Sequence, residues 1–299
     1  MLTGATGFVG RHTLIALARG GHDVHAVARQ RGPDLAGVTW HESDLLAGRE
    51  LVGAVEPEIL VHLAWYAEHG KFWSSTENVR WVEASLALLR AFTAAGGRRA
   101  VIAGTCAEYE PSGEVYSESA PQRPETLYGA AKHGLHMVAS AFAAEAGLSL
   151  AWGRLFFLYG PFEAPERFVA SLVLALLRRE RARMTEGTQL RDFLHVVDAG
   201  AAFAALADSS LTGAVNIASG RGVTLRELAT LIARDIGSIE LLDIGGMPRR
   251  EGEPPSIVAD VHRLEGELGW HPRIALEDGV RDTVTWWRER LATQERDRL

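Results

Sequence analysis

The chain is short of lysine. Only Lys71 and Lys132 occur in 299 residues, so 29 of the 31 basic residues are arginine. Cysteine is scarcer still: Cys106 stands alone, which excludes an internal disulfide and a cysteine-rich metal site. No cluster of basic residues is present and the formal net charge is −7, so nucleic acid is a poor partner, because phosphate contacts need concentrated positive charge. No apolar run is long enough to span a bilayer; the longest, near Phe168–Leu177, is broken by Ser171. No charged segment followed by an apolar one opens the chain, so no secretion signal is expected. Together these absences predict a soluble cytoplasmic protein with neither nucleic-acid nor membrane partners. The lysine shortage also makes each lysine informative. Arginine cannot lose its proton and presents a flat fork, so a lysine kept in this composition points to a need for a compact ammonium.

What is present is a globular composition, 47% hydrophobic and 23% charged. Short apolar runs at Leu2–Thr3, Asp23–Ala28, Val38–Trp40, Ile59–Ala64, Ala100–Ala103 and Leu148–Leu158 read as strands buried on both faces. Helical spacing separates them at His12–Arg19, Asn78–Ala95 and Tyr128–Ala146. This alternation predicts an α/β fold with a doubly wound parallel sheet. The second half is mixed: helix over Glu166–Arg183, strand over Asp192–Val197, helix over Ala199–Leu206, strand over Ala214–Ala218 and helix over Leu225–Ile236. A Gly/Pro/Arg-rich loop at Gly245–Pro255 and a last helix from about Leu276 to Leu291 follow, with a polar tail at Thr293–Leu299.

Gly4, Gly7 and Gly10 stand in GATGFVG, between a strand and a helix. Glycine there permits a tight turn, close approach of backbone to a pyrophosphate, and close helix–strand packing. The helix N-terminus then faces the phosphates with free N–H groups, and Thr6, Phe8 and Val9 in the same stretch are further cofactor-binding candidates. Only three residues precede the loop, so either the first strand is a stub or the start has been clipped or misassigned. After the second strand an NAD site wants an acid for the ribose 2′-hydroxyl. Ala28 occupies that position, with Arg29 and Arg31 following, which favours NADP over NAD. Asp44 and Leu45, after the third strand, are candidates for the adenine.

Tyr128 and Lys132 are four residues apart and share a helix face. An ammonium near a phenol favours the phenolate, which suits proton transfer near neutral pH. Thr105, at the end of AVIAG, is placed to hydrogen-bond a substrate oxygen beside Tyr128. His133 and His136 lack further ligands at metal spacing and are read as helix-surface residues, with no metal expected.

GATGFVG, TCAEY, YGAAK, GRLFFLYGP, RDFLHVVD, AVNIASG, RREGEPP and LGWHP occur in order along nearly the whole chain. Together they resemble the extended short-chain dehydrogenase/reductase family, specifically its nucleotide-sugar epimerases, dehydratases and ketoreductases. The resemblance implies a Rossmann domain over residues 1–160, to which part of 190–220 returns, and a smaller C-terminal α/β lobe over 161–299 for a nucleoside diphosphate sugar. It implies a catalytic set of Thr105, Tyr128 and Lys132, with the last two also on the cofactor. Leu63 and Ala64 join the cofactor contacts. Trp65, Cys106, Phe157, Arg191, Arg250 and Glu253 join the substrate contacts, and a homodimer forms through Asn78–Ala95 and Tyr128–Ala146.

The departures matter. The family's 4,6-dehydratases follow the catalytic Thr with Asp and Glu, whereas Thr105 is followed by Cys106 and Ala107, and Ala107 is neither acid nor base. Phe157 replaces a usual Asn, and Trp65–Ser75 is unusually aromatic. The expectation is therefore NADPH-dependent reduction of a 4-keto nucleoside diphosphate hexose. An NAD-dependent 4-epimerase is the alternative, and a non-catalytic NADP-binding regulator ranks lowest because both Tyr128 and Lys132 are kept.

Overall fold

The computed structural model describes residues 1–48, 50–111, 115–249 and 252–296. The first half alternates as expected: β1 (Leu2–Thr3), α1 (Gly10–Arg19), β2 (Val24–Ala28), β3 (Val38–Glu42), α2 (Glu50–Val55), β4 (Ile59–His62), α3 (Glu77–Ala94) and β5 (Arg99–Thr105). Then come β6 (Val115–Tyr116), α4 (Leu127–Ala146), β7 (Ser149–Leu155), β8 (Phe157–Tyr159), α5 (Phe168–Leu177), β9 (Ala182–Met184), β10 (Leu190–His195) and α6 (Val196–Asp208). The chain closes with β11 (Gly213–Ile217), β12 (Gly222–Thr224), α7 (Leu225–Ile236), β13 (Leu242–Ile244), β14 (Ser256–Ala259) and α8 (Leu276–Arg296).

Seven strands form a parallel sheet in the order β11-β7-β5-β4-β1-β2-β3. The two-residue β1 is central: Leu2 lies opposite Ala26 on one side and Val61 on the other. Strand order reverses between β1 and β4, and a doubly wound sheet opens its ligand crevice at the carboxyl ends of such a pair. Leu14, Leu17, Phe203, Leu206 and Val215 pack one face, through α1 and α6. Leu88, Leu89, Phe92, Leu135 and Trp152 pack the other, through α3 and α4. A second sheet, β12-β10-β14-β6 with β8 on β10, lies outside this frame. A separate core of Val173, Leu176, Leu228, Ile232, Val284 and Trp287 joins α5, α7 and α8. Among the described residues no helix is long and apolar enough to cross a membrane.

Two expectations need correcting. Leu148–Leu158 is not one strand: β7 joins the large sheet and β8 joins β10, with the break at buried Phe156, whose amide donates to the Ile217 carbonyl (3.3 Å). The helix expected over Glu166–Arg183 is only Phe168–Leu177. It stops where Arg179 turns into the left-handed region (φ 60°) and donates to Ser238 Oγ (2.9 Å), and β9 follows.

Candidate active site

The glycine loop sits at the reversal of strand order, and its glycines are there for space. Gly4 has φ +70°, and a Cβ on it would meet the Ala64 amide nitrogen at 2.8 Å. A Cβ on Gly10 would lie 1.9 Å from the Gly4 carbonyl oxygen. The N-terminus of α1 carries no side-chain cap at Val9 and no acid in its first turn, so among the described residues no capping side chain or first-turn acid competes with an anion there. These residues fit a dinucleotide diphosphate. Leu63 and Ala64, at the end of β4, hold the loop from below: their amides donate to Thr3 O (3.3 Å) and Thr3 Oγ1 (3.4 Å). Arg11, which sequence reasoning passed over, clips the loop. Its guanidinium donates to Thr6 O (2.6 Å) and Gly7 O (3.3 Å) and lies 3.9 Å above the Phe162 ring.

Arg29 and Arg31 follow β2 as exposed side chains, and Arg31 pairs with Asp34. Asp44 is exposed and its Oδ1 accepts from the Leu46 amide (3.0 Å), while Leu45 is buried in the core.

Thr105 ends β5 as the cap of a one-turn helix. Its Oγ1 accepts from the Ala107 amide (3.2 Å), while Glu108 Oε1 accepts from the Thr105 amide (2.8 Å). Tyr128 begins α4, whose cap Thr126 accepts from the Gly129 amide (3.1 Å). Burial pushes the Tyr128 phenol up and the Thr105 hydroxyl opposes that shift, so the two side chains are neighbours. Lys132, 4% exposed, lies one turn further on. Its ammonium donates to the Ala103 carbonyl (2.8 Å) and sits 3.7 Å from the centre of the Trp65 indole. Burial lowers it to about 7, against the pull of Glu108. Cys106 and Glu108 also push the phenol up, and Arg167 pulls it down.

Burial first, and then Glu108, push the Cys106 thiol up to about 12, while Arg191 pulls it down. Arg191 is buried beside Phe157 (5.5 Å to the ring centre) and donates to Glu253 Oε1 (2.7 Å) and Leu190 O (2.8 Å). The other oxygen of Glu253 accepts from Gln189 Nε2 (2.7 Å), so this carboxylate is engaged by the protein itself. Arg250 lies outside the described residues.

His133 and His136 are not helix-surface residues, and this corrects the expectation. They turn toward Glu108, and the three bring one ligand atom each within 4.8 Å of one another. The carboxylate is already saturated by the Thr105 amide, the Trp152 indole (2.9 Å) and Arg154 Nε (2.8 Å). Arg154 also contacts His136 Nδ1 (3.3 Å), so a guanidinium holds the cation position. This fully buried Glu108–Arg154 pair was invisible in the sequence, where Glu108 reads as one more acid.

Residues 1–218 match the pattern of the NAD dependent epimerase/dehydratase family. The chain belongs to that family. It is 28% identical to the UDP-glucose 4-epimerase of Streptomyces lividans, over 96% of this chain and 95% of that protein. Among solved structures, MoeE5 in complex with UDP-glucuronic acid and NAD is 32% identical, covers 97% of this chain and 98% of its own, and superposes with a TM-score of 0.85. The UDP-glucose 4-epimerase of Thermotoga maritima, solved with UDP-glucose, is 25% identical over 97% and 98% of the two chains, with a TM-score of 0.84. Membership makes the protein an NAD(P)-dependent enzyme of the nucleotide-sugar epimerase and oxidoreductase group, and it fits a glycine loop placed at a switch point.

Proposed function

We propose that the protein is an NAD-dependent 4-epimerase of a nucleoside diphosphate hexose, with UDP-glucose and UDP-glucuronic acid as the first substrates to try. The alternative reading from the sequence thus displaces the NADPH-dependent ketoreductase as the leading one. One observation carries it. Thr105 acts on the Tyr128 phenol and Lys132 lies one helical turn on, yet among the described residues no free carboxylate follows Thr105: Cys106 and Ala107 come next, and Glu108 is committed to Arg154. A dehydratase needs an acid and a base for loss of water; an epimerase needs only reversible removal and return of one proton and one hydride.

A dinucleotide held by Gly4, Gly7 and Gly10 supplies a reversible hydride acceptor. Tyr128 takes the proton of the sugar C4 hydroxyl and gives it back. Thr105 hydrogen-bonds the same oxygen. Lys132, one helical turn away, favours the phenolate when protonated and would hold the ribose of a bound cofactor. Arg191 contributes a guanidinium for the substrate diphosphate, and the lobe built from 161–299 holds the nucleoside. A homodimer through α3 and α4 goes with this reading, supported by exposed Val79, Met137 and Val138 on those helices.

A second reading keeps one observation in its favour. Ala28 ends β2 without a carboxylate, and Arg29 follows it exposed, which suits a 2′-phosphate and hence NADPH-dependent reduction. Incubating the purified protein with each sugar nucleotide and no added cofactor separates the two. Interconversion at C4 seen by proton NMR, with NAD released on acid denaturation, supports the epimerase. Absence of interconversion, together with NADPH oxidation by 4-keto sugar nucleotides, establishes the reductase instead.

A further inference from the structure

The segment from Trp65 to Ser75 forms two aromatic arms, and each arm rests on one of the candidate catalytic side chains. The first arm is Trp65, whose indole face lies over the Lys132 ammonium at 3.7 Å. The second is Phe72–Trp73. Both rings meet Tyr128 edge-on, with centroids 4.9 Å and 5.7 Å away, and the Trp73 carbonyl accepts from the Tyr128 amide (3.1 Å). A single buried side chain joins the arms. Asn78 Oδ1 accepts from the Trp65 indole N–H (2.9 Å), and Asn78 Nδ2 donates to the carbonyls of Phe72 (2.7 Å) and Ser75 (2.8 Å).

We propose that Trp65 is a positioning residue for Lys132, and that Trp65 and Phe72–Trp73, locked by Asn78, form one aromatic clasp that sets Lys132 and Tyr128 in place together. The ammonium has left water and keeps, among the described residues, one hydrogen bond, to Ala103. A desolvated cation gains most from the negative face of an aromatic ring, and indole is the strongest such face among side chains. The titratable groups acting across this position are Glu108, which favours the ammonium, and His62 at the end of β4, which is itself held neutral (lowered to about 3) by burial and by Lys132. His62 is fixed between Thr3 Oγ1 (2.7 Å) and Ser85 Oγ (2.9 Å), so it supplies no compensating charge. The indole and the Ala103 carbonyl are therefore the uncharged contacts that favour the protonated form. The proposal rests on the reading that Lys132 belongs to the catalytic set, but its test does not.

Because the chain has two lysines, lysine labelled with carbon-13 at Cε gives two side-chain signals in the full-length protein. Exposed Lys71, paired with Glu68, serves as the internal reference. In the parent, Lys132 is expected to titrate near 7. In Trp65→Leu its midpoint is expected to fall by ~1 pH unit, in Trp65→Phe by less, and Lys71 is expected to stay put. The alkaline limb of kcat is expected to move down by the same amount, and Trp65→Phe recovers part of the loss. An unchanged Lys132 midpoint in a folded Trp65→Leu protein overturns the proposal, whatever the turnover does. Should Trp65→Leu fail to fold, Trp65→Phe and Asn78→Ser are read the same way, and an unmoved midpoint in both overturns it. A shifted midpoint with an unmoved pH profile upholds the clasp and instead removes Lys132 from the chemistry.

Discussion

Replacing Glu163 by Gln should stabilise the protein, and only above a definite pH. Glu163 is 3% exposed, in the loop that leads from β8 to α5. Its Oε1 accepts from Arg167 Nε at 3.3 Å, while Oε2 has no hydrogen-bond partner among the described residues. Burial pushes its carboxyl up to about 8; Arg167 and the Ala170 amide oppose the shift without cancelling it. The native state therefore holds this proton over a range in which the unfolded chain, near 4.5, has released it. Stability tied to Glu163 is then fully present below about 4.5, falls as pH rises from there to about 8, and is flat beyond. Each pH unit in that window is worth about 1.4 kcal/mol, so ionising Glu163 inside the fold costs roughly 3–5 kcal/mol. Glutamine keeps the shape and cannot ionise. Urea unfolding of both chains from pH 4 to pH 9 gives the difference directly, and other titrating groups cancel in it. The two should agree near pH 4, and Glu163→Gln should lead by several kcal/mol at pH 9. Parallel curves would refute the reasoning, because they would mean the carboxylate is solvated or paired as well in the fold as in the open chain.

Three further outcomes follow from the site. Tyr128→Phe should lower kcat by ~10²–10⁴-fold while calorimetry still shows the sugar nucleotide binding; a kcat within tenfold of the parent would take Tyr128 out of the proton transfer. Glu108→Gln should cost about 3–5 kcal/mol in denaturant unfolding, because it strands the Arg154 guanidinium in a fully buried position. Gly10→Ala should abolish retention of the dinucleotide, since its methyl would lie 1.9 Å from the Gly4 carbonyl oxygen. Gly53→Ala, in α2 with nothing within 4 Å, should be neutral or gain ~0.5–1 kcal/mol; equal effects from the two would show that the glycine loop is not close-packed.

The parts of this protein that could be read from sequence are those where one residue type has almost no substitute. Gly4 and Gly10 are legible because any side chain there would strike backbone, and Lys132 because an arginine-rich chain keeps so few lysines. The parts that could not be read depend on ordinary residues whose meaning comes from a distant partner. Asn78 reads as a helix residue until Trp65 and Phe72 are seen to converge on it, and Glu108 gains its role from Arg154, 46 residues away. The break at Phe156 carries no Gly or Pro, because the strand does not turn; it changes sheets, and β11 and β10, which lie far along the chain, decide that. The lysine shows both sides of this. Its rarity marks Lys132 as needed, but not why arginine fails. Between the Ala103 carbonyl and the Trp65 face there are one acceptor and one ring for a point charge. A guanidinium brings five N–H donors in a rigid plane and never gives up its charge. Most of those donors would stay unsatisfied in this niche, and a group poised near pH 7 would become a fixed cation. The lysine is kept because this niche fits a small cation that can still lose its proton.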